Sequence, residues 1–413
     1  MTDRRHLHKS DVMIDDVANW LMHQALVPSS LDEVFAGCVQ RLHATGLLLS
    51  RAQISFLILH PLYHGMSLTW YTGQPLHRDT YGQSMHNENF LGSPINYLMQ
   101  HRLLHMRRHL KGPQAQLDFP ILKELQNKGH TDYFAYAVPF EAMNSDQLVT
   151  QGVIGSWTTN RPGGFTETEI SALMRIEQRL AVAIKIQIQE QVTHNILSTY
   201  LGEKAGNQVL NGSIKRGDGQ LIPAVIWYSD LRDSTRLAGF QENQQFLNTL
   251  NQYFECTAGS VARTGGEVLR FIGDAVLAIY PTDDKPGNKQ QACQSAAAAA
   301  RLSRTELKKV NNERGNQGLP ELQFGIGLHI GDVLFGNIGI PERLEFSVIG
   351  PATNEVARLE DLSKSLNRPV IASQRFIDEL GENWPSFGKH HLRGVDQPFE
   401  VFTAPWLDDD LSN

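Results

Sequence analysis

The chain has 413 residues, of which 41% are hydrophobic and 20% charged, and a formal net charge of -7. Its length suits two or three domains of about 100–200 residues each, and its mild acidity gives no general electrostatic reason to bind nucleic acid or an anionic membrane. No apolar run approaches the roughly 20 residues that a bilayer crossing needs, since the longest, Ile54 to Leu59, stops at His60-Pro61.

Met1 to Ser10 is polar and basic and no apolar segment follows it, so a secretory signal is not expected. Cys38, Cys256 and Cys293 are far apart and form no CxxC pair. They read as buried, reduced thiols of a cytoplasmic protein.

The N-terminal region reads as α+β. Val17 to Leu26 and Leu31 to Thr45 have helical patterning. Gln53 to Leu59, Met66 to Tyr71, Tyr133 to Phe140 and Gly152 to Thr158 have the composition of strands. His101, His105 and His109 recur every four residues in Tyr97 to Leu110, so a helix there would put them on one face. Such a face can hold a metal. Arg102, Arg107 and Arg108 lie among them and oppose a dication, so a solvated helix face is the simpler reading.

Pro162-Gly163-Gly164 is a turn signal, and Thr166 with Glu169 is a capping box. Leu173, Ile176, Leu180, Ile184 and Ile188 then recur at helical spacing. The narrow stripe suits pairing with a copy of itself; the alternative is a helix packed on its own domain. Asn195 to Leu210 continues as helix, and Asn211-Gly212 stops it. The strand Gly152 to Thr158, the turn Arg161 to Thr166 and the long helix after it resemble the closing segment of GAF domains. That resemblance implies a GAF-like sensory domain over 1–165 and a helical dimerising or transducing linker over 166–221. The signal it would sense, a small molecule or a protein, has no marker in the sequence.

From Ile222 the pattern changes. Ala224 to Tyr228 is a short apolar strand ending in Ser229-Asp230, and Val268 to Ile272 is another ending in Gly273-Asp274. Two carboxylates delivered side by side repel unless a cation lies between them, and hard oxygen ligands favour magnesium or manganese. Phe324 to Gly339 reads as strand, tight turn and strand, with glycines for positive φ or close backbone approach. Phe346 to Glu360 reads as a strand entering a helix that carries Asn354 and Arg358 one turn apart, a pair able to fix a sugar or phosphate oxygen. The competing use of Arg358 is a surface pair with Glu355 or Asp361. His391 to Val395, with Phe399 to Phe402 after it, reads as a hairpin with Arg393 near its turn.

These five segments, in this order, resemble the catalytic domain of class III adenylate and guanylate cyclases. The resemblance implies a ferredoxin-like, palm-type α+β domain over 222–405. It implies that Asp230 and Asp274 bind two Mg2+ or Mn2+ ions per site, with the Leu231 carbonyl. Asn354 and Arg358 would position the ribose and stabilise the transition state, and Arg393 would hold the terminal phosphates. Arg270 stands where adenylate cyclases usually have a purine-reading Lys, and Ser347 where they usually have Asp or Thr. The implied reaction is in-line attack of the ribose 3′ oxygen on the α-phosphorus with loss of pyrophosphate. One metal lowers the pKa of the hydroxyl and the other neutralises the triphosphate. Family sites draw residues from two protomers, which implies a homodimer.

Arg270 still donates, though its planar fork is no neutral replacement for Lys, and Ser347 both donates and accepts. The pair leans toward ATP and cyclic AMP, with GTP as the alternative. Asp233-Ser234-Thr235 replaces the family's Gly-Phe-Thr; Asp233 reads as a helix cap or as an extra charge near the metals. A non-catalytic nucleotide-binding domain of the same fold is the other alternative. A diguanylate cyclase is disfavoured, because Gly265-Gly266-Glu267-Val268-Leu269 lacks the second acid and the aromatic of that family's hairpin.

Overall fold

The computed structural model describes residues 9–58, 63, 65–82, 88–140, 152–283, 285–393 and 397–406. Leu59 to Pro61, Gly394 and Val395, named above, lie outside these residues, as do Met1 to His8. The chain divides into two compact units, Met1–Ile196 and Leu197–Asn413. Among the described residues, no helix is long and apolar enough to cross a membrane. All three cysteines are buried and free. Burial pushes each thiol up to about 12.

The first unit runs α1 (Lys9–Gln24), α2 (Leu31–Ala44), β1 (Arg51–Leu57), β2 (Gly65–Tyr71), β3 (His77–Tyr81), α3 (Glu88–Leu91), α4 (Pro94–Gln100), β4 (His105–His109), α5 (Pro120–Asn127), β5 (Asp132–Pro139), β6 (Gly152–Thr159) and α6 (Glu167–Leu201). Its six strands form an antiparallel sheet in the order β3-β2-β1-β6-β5-β4. Strand alternation sends Ala52, Ile54 and Phe56 to one face, where they share a core with α1, α2 and α6. Tyr133, Ala135 and Met106 line the other face beneath α4 and α5.

The capping box forms as read: Glu169 N–H donates to Thr166 Oγ1 at 3.2 Å, and Thr166 N–H donates to Glu169 Oε2 at 2.7 Å. The stripe that follows is used differently. Leu173, Ile176, Leu180, Ile184 and Ile188 are all buried in the unit's own core. Packing on the home sheet, rather than pairing with a copy, therefore buries these side chains. The sheet leaves a wide apolar face, and α6 is the helix that covers it with α1 and α2.

The histidines also differ from the helical expectation. Pro94 starts α4, but it ends at Gln100 with His101 as its C-cap, and His105 and His109 stand at the two ends of a strand. The β4–β5 pairing overrides the four-residue periodicity. His105 Nε2 lies 2.8 Å from Glu177, a fully buried carboxylate of α6 that also accepts from Trp157 Nε1 at 3.2 Å. Arg107 donates to Asp132 through Nη2 at 2.7 Å, and Phe165 N–H donates to the same carboxylate at 2.9 Å. Gly164, at φ +76, packs so closely on Asp132 that a Cβ would collide with it. The chain is thus pinned where it enters α6.

The second unit runs α7 (Glu203–Leu210), β7 (Gly219–Leu231), α8 (Ser234–Phe240), α9 (Asn243–Arg263), β8 (Glu267–Ile272), β9 (Ala275–Pro281), α10 (Asn288–Asn316), β10 (Phe324–Ile340), β11 (Arg343–Ile349), α11 (Pro351–Ser365), β12 (Val370–Ser373), α12 (Gln374–Leu380), β13 (Ser386–His390) and β14 (Phe399–Thr403). Its sheet has the order β13-β14-β12-β10-β7-β9-β8, with β11 paired to β10. Val225 and Trp227 point into a core with α9, α10 and α12, while Ala224 and Ile226 point into a second core with α7 and α11. Burial on both faces is why β7 reads as a continuous apolar run.

Phe324 to Gly339 contains no tight turn. It lies wholly within β10, a single 17-residue strand paired with β7 through Gly331↔Ala224 and Asp332↔Pro223. Gly339 takes a positive φ of 135, and the glycines before it serve close approach. A Cβ at Gly327 would come within 2.6 Å of the Val356 carbonyl, and one at Gly331 within 2.8 Å of Ala352 Cβ. Both contacts belong to α11, so the bare face of β10 seats that helix against the sheet.

Candidate active site

β7 delivers Asp230 as its penultimate residue, in register with Ala275 on β9 and Gly325 on β10. Asp274 sits in the turn joining β8 to β9, where Gly273 adopts φ 62. Leu231 N–H donates to the Asp274 carbonyl at 3.3 Å. Strand pairing therefore makes the two aspartates neighbours, as the sequence implied.

Burial raises the pKa of Asp230, and the charge of Asp274 adds to the rise; the hydrogen bond from Lys364 opposes both. Lys364 Nζ, from the last turn of α11, lies 3.1 Å from Asp230 Oδ2. Burial pulls the Lys364 ammonium down, but its bond to Asp230 and the charges of Glu360 and Asp230 leave it net raised. Two hard carboxylates beside the buried Leu231, crowded enough to draw an ammonium, fit a divalent cation by donor chemistry. Among the described residues no set of three or more His, Cys, Asp or Glu side chains is placed for a metal. Backbone or substrate oxygens would have to complete the shell.

Arg270 lies at a β-bulge in β8, where the pairing shifts from Val268↔Ala278 to Arg270↔Leu277. Bulges re-aim side chains, and here Arg270 Nε reaches Glu345 of β11 at 2.8 Å. Ser347, two residues along β11 from Glu345 and hence on the same face, is buried opposite Gly336. Asn354 is exposed and Arg358 half-buried on α11. No ion pair within 4 Å is made by Arg358 among the described residues, so its suggested surface pair with Glu355 or Asp361 does not form. Arg393 is exposed just beyond β13.

Residues 220–391 match the adenylate and guanylate cyclase catalytic domain. This stretch is a cyclase catalytic domain. An adenylate cyclase of Anabaena cylindrica is 33% identical over 160 residues, 38% of this chain and 30% of that protein. An uncharacterized protein of Mycobacterium tuberculosis is 30% identical over 243 residues, 57% of this chain and 42% of its own length. The chain thus spans less than half the length of these relatives. Among solved structures, the adenylyl cyclase CyaB from P. aeruginosa aligns with a TM-score of 0.41 at 21% identity, covering 45% of this chain and 94% of that one. The guanylyl cyclase Cya2 aligns with a TM-score of 0.40 at 27% identity, covering 45% and 92%.

The cyclase domain holds several charged neighbours of these residues that the sequence reading did not single out. Lys364 is one. Arg232 and Glu360 are a second set: Nη1 and Oε1 are 2.9 Å apart with side chains 16% and 2% exposed, yet neither atom makes a hydrogen bond. Burial therefore outweighs the attraction of Arg232 and pushes the Glu360 carboxyl up to about 7. Ser363 accepts from Arg232 on the same helix. His329, fully buried on β10, joins Ser373 Oγ (2.8 Å) to Glu355 (3.0 Å), the residue after Asn354. Proximity of His329 lowers the Glu355 pKa despite burial. Strand parity from Ser347 could have found Glu345. The others depend on which face of α11 meets the sheet, which the glycines of β10 decide.

Asp233 occupies the N-cap position of α8, but at φ 56 and without a side-chain capping bond. Its carboxylate pairs with Arg236 at 3.2 Å instead. The cap reading is therefore wrong, because a left-handed residue cannot aim its carboxylate at the helix amides as an extended N-cap does.

Proposed function

We propose that the cyclase domain converts ATP to 3′,5′-cyclic AMP and pyrophosphate at composite sites of a homodimer, under control of the N-terminal unit. The observation that carries this reading is the pair Asp230 and Asp274, forced together by strand pairing at one end of the sheet. Asp230, Asp274 and the Leu231 carbonyl would hold two Mg2+ or Mn2+ ions. Bound there, such ions would make the ribose 3′ hydroxyl more acidic and neutralise the triphosphate. Asn354 would orient the ribose and Arg358 would stabilise charge on the transferring phosphoryl group. Arg393 would grip the terminal phosphates. Arg270 and Ser347 would hold the purine edge. Most of the rate then comes from positioning and electrostatics rather than covalent catalysis.

The homodimer has its own support. Lys364, near the end of α11, touches Asp230. Asn354 is ten residues earlier, roughly 15 Å along the helix axis. One chain's Asn354 is thus poorly placed to serve its own aspartates, and a second copy would bring another. For the N-terminal unit, a GAF-like regulatory role is supported by the observed order of β6, the Arg161 to Thr166 turn and α6.

Guanylate cyclase activity is the second reading, favoured by the Glu345 carboxylate beside Arg270. The deciding experiment incubates the purified full chain with ATP or GTP and manganese and identifies the products. Cyclic AMP formed with the higher kcat/KM supports the first reading. A higher kcat/KM for GTP replaces it with the second, and no cyclic product from either refutes both.

A further inference from the structure

The sheet of the first unit has two faces of unlike character. Alternation along β1 sends Ala52, Ile54 and Phe56 to the apolar face shared with α1, α2 and α6. Arg51 lies on the other face, directly opposite Tyr71 of β2 and Thr158 of β6, and Gln53 follows it opposite Thr69 and Ser156. On that face the region beneath α4 and α5 is apolar. The region over β6, β1 and β2 is polar, yet Thr69, Ser156 and Thr158 are buried there.

Arg51 supplies the charge in this polar region. It is 7% exposed, and among the described residues its guanidinium makes no ion pair. Nε donates to the Tyr71 hydroxyl at 3.3 Å, and Nη1 donates to Ser156 Oγ at 3.0 Å. Both partners are neutral. The pKa of buried His130 is lowered by burial and, second, by the Arg51 charge, so the field here is positive. Across the strand pair from Arg51, Thr158 Oγ1 is fully buried and has no hydrogen-bond partner among the described residues. A buried cation met only by hydroxyls, with an orphan hydroxyl beside it, is costly unless an anion arrives.

We infer that this polar half of the sheet face binds a small polar carboxylate, gripped by the Arg51 guanidinium and the Thr158 hydroxyl. A guanidinium carries five N–H donors. Tyr71 and Ser156 take two of them, and the three that remain are enough for both oxygens of a carboxylate in the paired geometry that Arg favours. The Thr158 hydroxyl adds a donor from the neighbouring strand. Gln53 and Thr69, next along β1 and β2, offer hydrogen bonds to the rest of the molecule, which suits a polar carboxylate and not a fatty one. Thr158 and Ser156 belong to β6, the strand that leads through the Arg161 to Thr166 turn into α6. The inference deepens the regulatory reading of the first unit by naming the class of its ligand, and it is independent of the cyclase reading.

The test is isothermal titration calorimetry on the full chain in chloride buffer at constant ionic strength. The probes are acetate and lactate, their neutral analogues acetamide and lactamide, and inorganic phosphate. At least one carboxylate should bind saturably, and its amide should bind about tenfold more weakly or worse. Arg51→Gln keeps a donor for Ser156 but no charge, and should lose about tenfold or more of the carboxylate affinity. Thr158→Val keeps the buried β-branched shape without the hydroxyl, and should lose about threefold to tenfold. No saturable binding of either carboxylate up to about 10 mM overturns the inference. So do amides that bind as well as the acids, or phosphate that binds more tightly than both. Unchanged affinity in folded Arg51→Gln also overturns it. If circular dichroism shows that variant unfolded, Thr158→Val decides, and unchanged affinity there overturns the inference. Binding is read without turnover, so a chain that cyclises no nucleotide can still uphold the site, and an active cyclase can still lack it.

Discussion

Glu360 offers a sharp test of how the sheet and α11 are joined. An ion pair at 2.9 Å between Arg232 and Glu360 looks stabilising, but neither facing atom makes a hydrogen bond and the carboxyl rises from 4.5 to about 7. The rise of about 2.5 units, at roughly 1.4 kcal/mol each, corresponds to about 3 kcal/mol. A carboxyl whose pKa is higher folded than unfolded binds its proton more tightly in the folded chain. Its contribution is therefore complete below about pH 4.5 and is lost as pH rises through about 7. Glu360→Gln carries no such titration and resembles the protonated side chain. The variant should gain stability relative to wild type as pH rises, by up to about 3 kcal/mol between pH 4.5 and 8. Urea unfolding of both full-length proteins at pH 5 and pH 8, in EDTA, gives the comparison. The buried Trp227 and Trp384 report on the second unit by fluorescence. A gap that is the same at both pH values, or a variant that falls further behind at pH 8, would refute the reasoning. The first result would mean that Arg232 fully offsets the burial of Glu360, and the second that it more than repays it.

Three other perturbations bear on the remaining assignments. Asp230→Ala or Asp274→Ala should abolish turnover while leaving circular dichroism unchanged, and near-normal activity in either purified variant would remove the metal assignment. Asp230→Ala and Asn354→Ala, each almost inactive alone, should recover about a quarter of wild-type activity when subunits exchange at random, since half the dimers are mixed and each has one intact site of two. No recovery, with exchange shown independently, would place each site within one chain. Asp132→Ala strips a fully buried carboxylate from Arg107 and from the amide of Phe165, and should destabilise the first unit by about 3–5 kcal/mol; a loss below about 1 kcal/mol in urea melts would show that solvent and Glu167, which accepts from Arg107 Nη1 at 2.7 Å, take over Arg107.

Where local pattern and tertiary structure agreed, the sequence was readable. The entry into α11 and the Thr166–Glu169 box depend on contacts within a few residues, the Asp-terminated strands show in their apolar runs, and each forms as expected. Readings that needed long-range information fared worse. The four-residue spacing of His101, His105 and His109 is compatible with a helix, and only pairing with β5 makes a strand of the last two. Gly327 and Gly331 look like turn residues until α11 is seen lying on them. The stripe from Leu173 to Ile188 specifies an apolar partner without specifying which, and the home sheet takes it. Glu345 and Lys364 gave no local signal because their meaning lies in Arg270 and Asp230, which are remote in sequence.

The pattern of satisfied and unsatisfied charges across the cyclase domain follows the proposed division of labour. Asp230 has Lys364 as an internal partner, and Arg270 has Glu345. Both pairs involve groups that would meet the substrate at its two ends, the phosphates with their metals and the base. Under the proposed function, substrate binding there would exchange one partner for another. By contrast Asn354 and Arg393 are exposed, and Arg358 makes no ion pair within the described chain. These three are the groups assigned to the ribose and phosphates from the far side of the site. A cation held half-buried without an anion is costly inside a protein and is tolerated where an anion arrives. The aspartate face is therefore self-contained before substrate binds, whereas the Asn354, Arg358 and Arg393 face is incomplete. That asymmetry fits a site closed by bringing the two faces of two copies together around a polyanion.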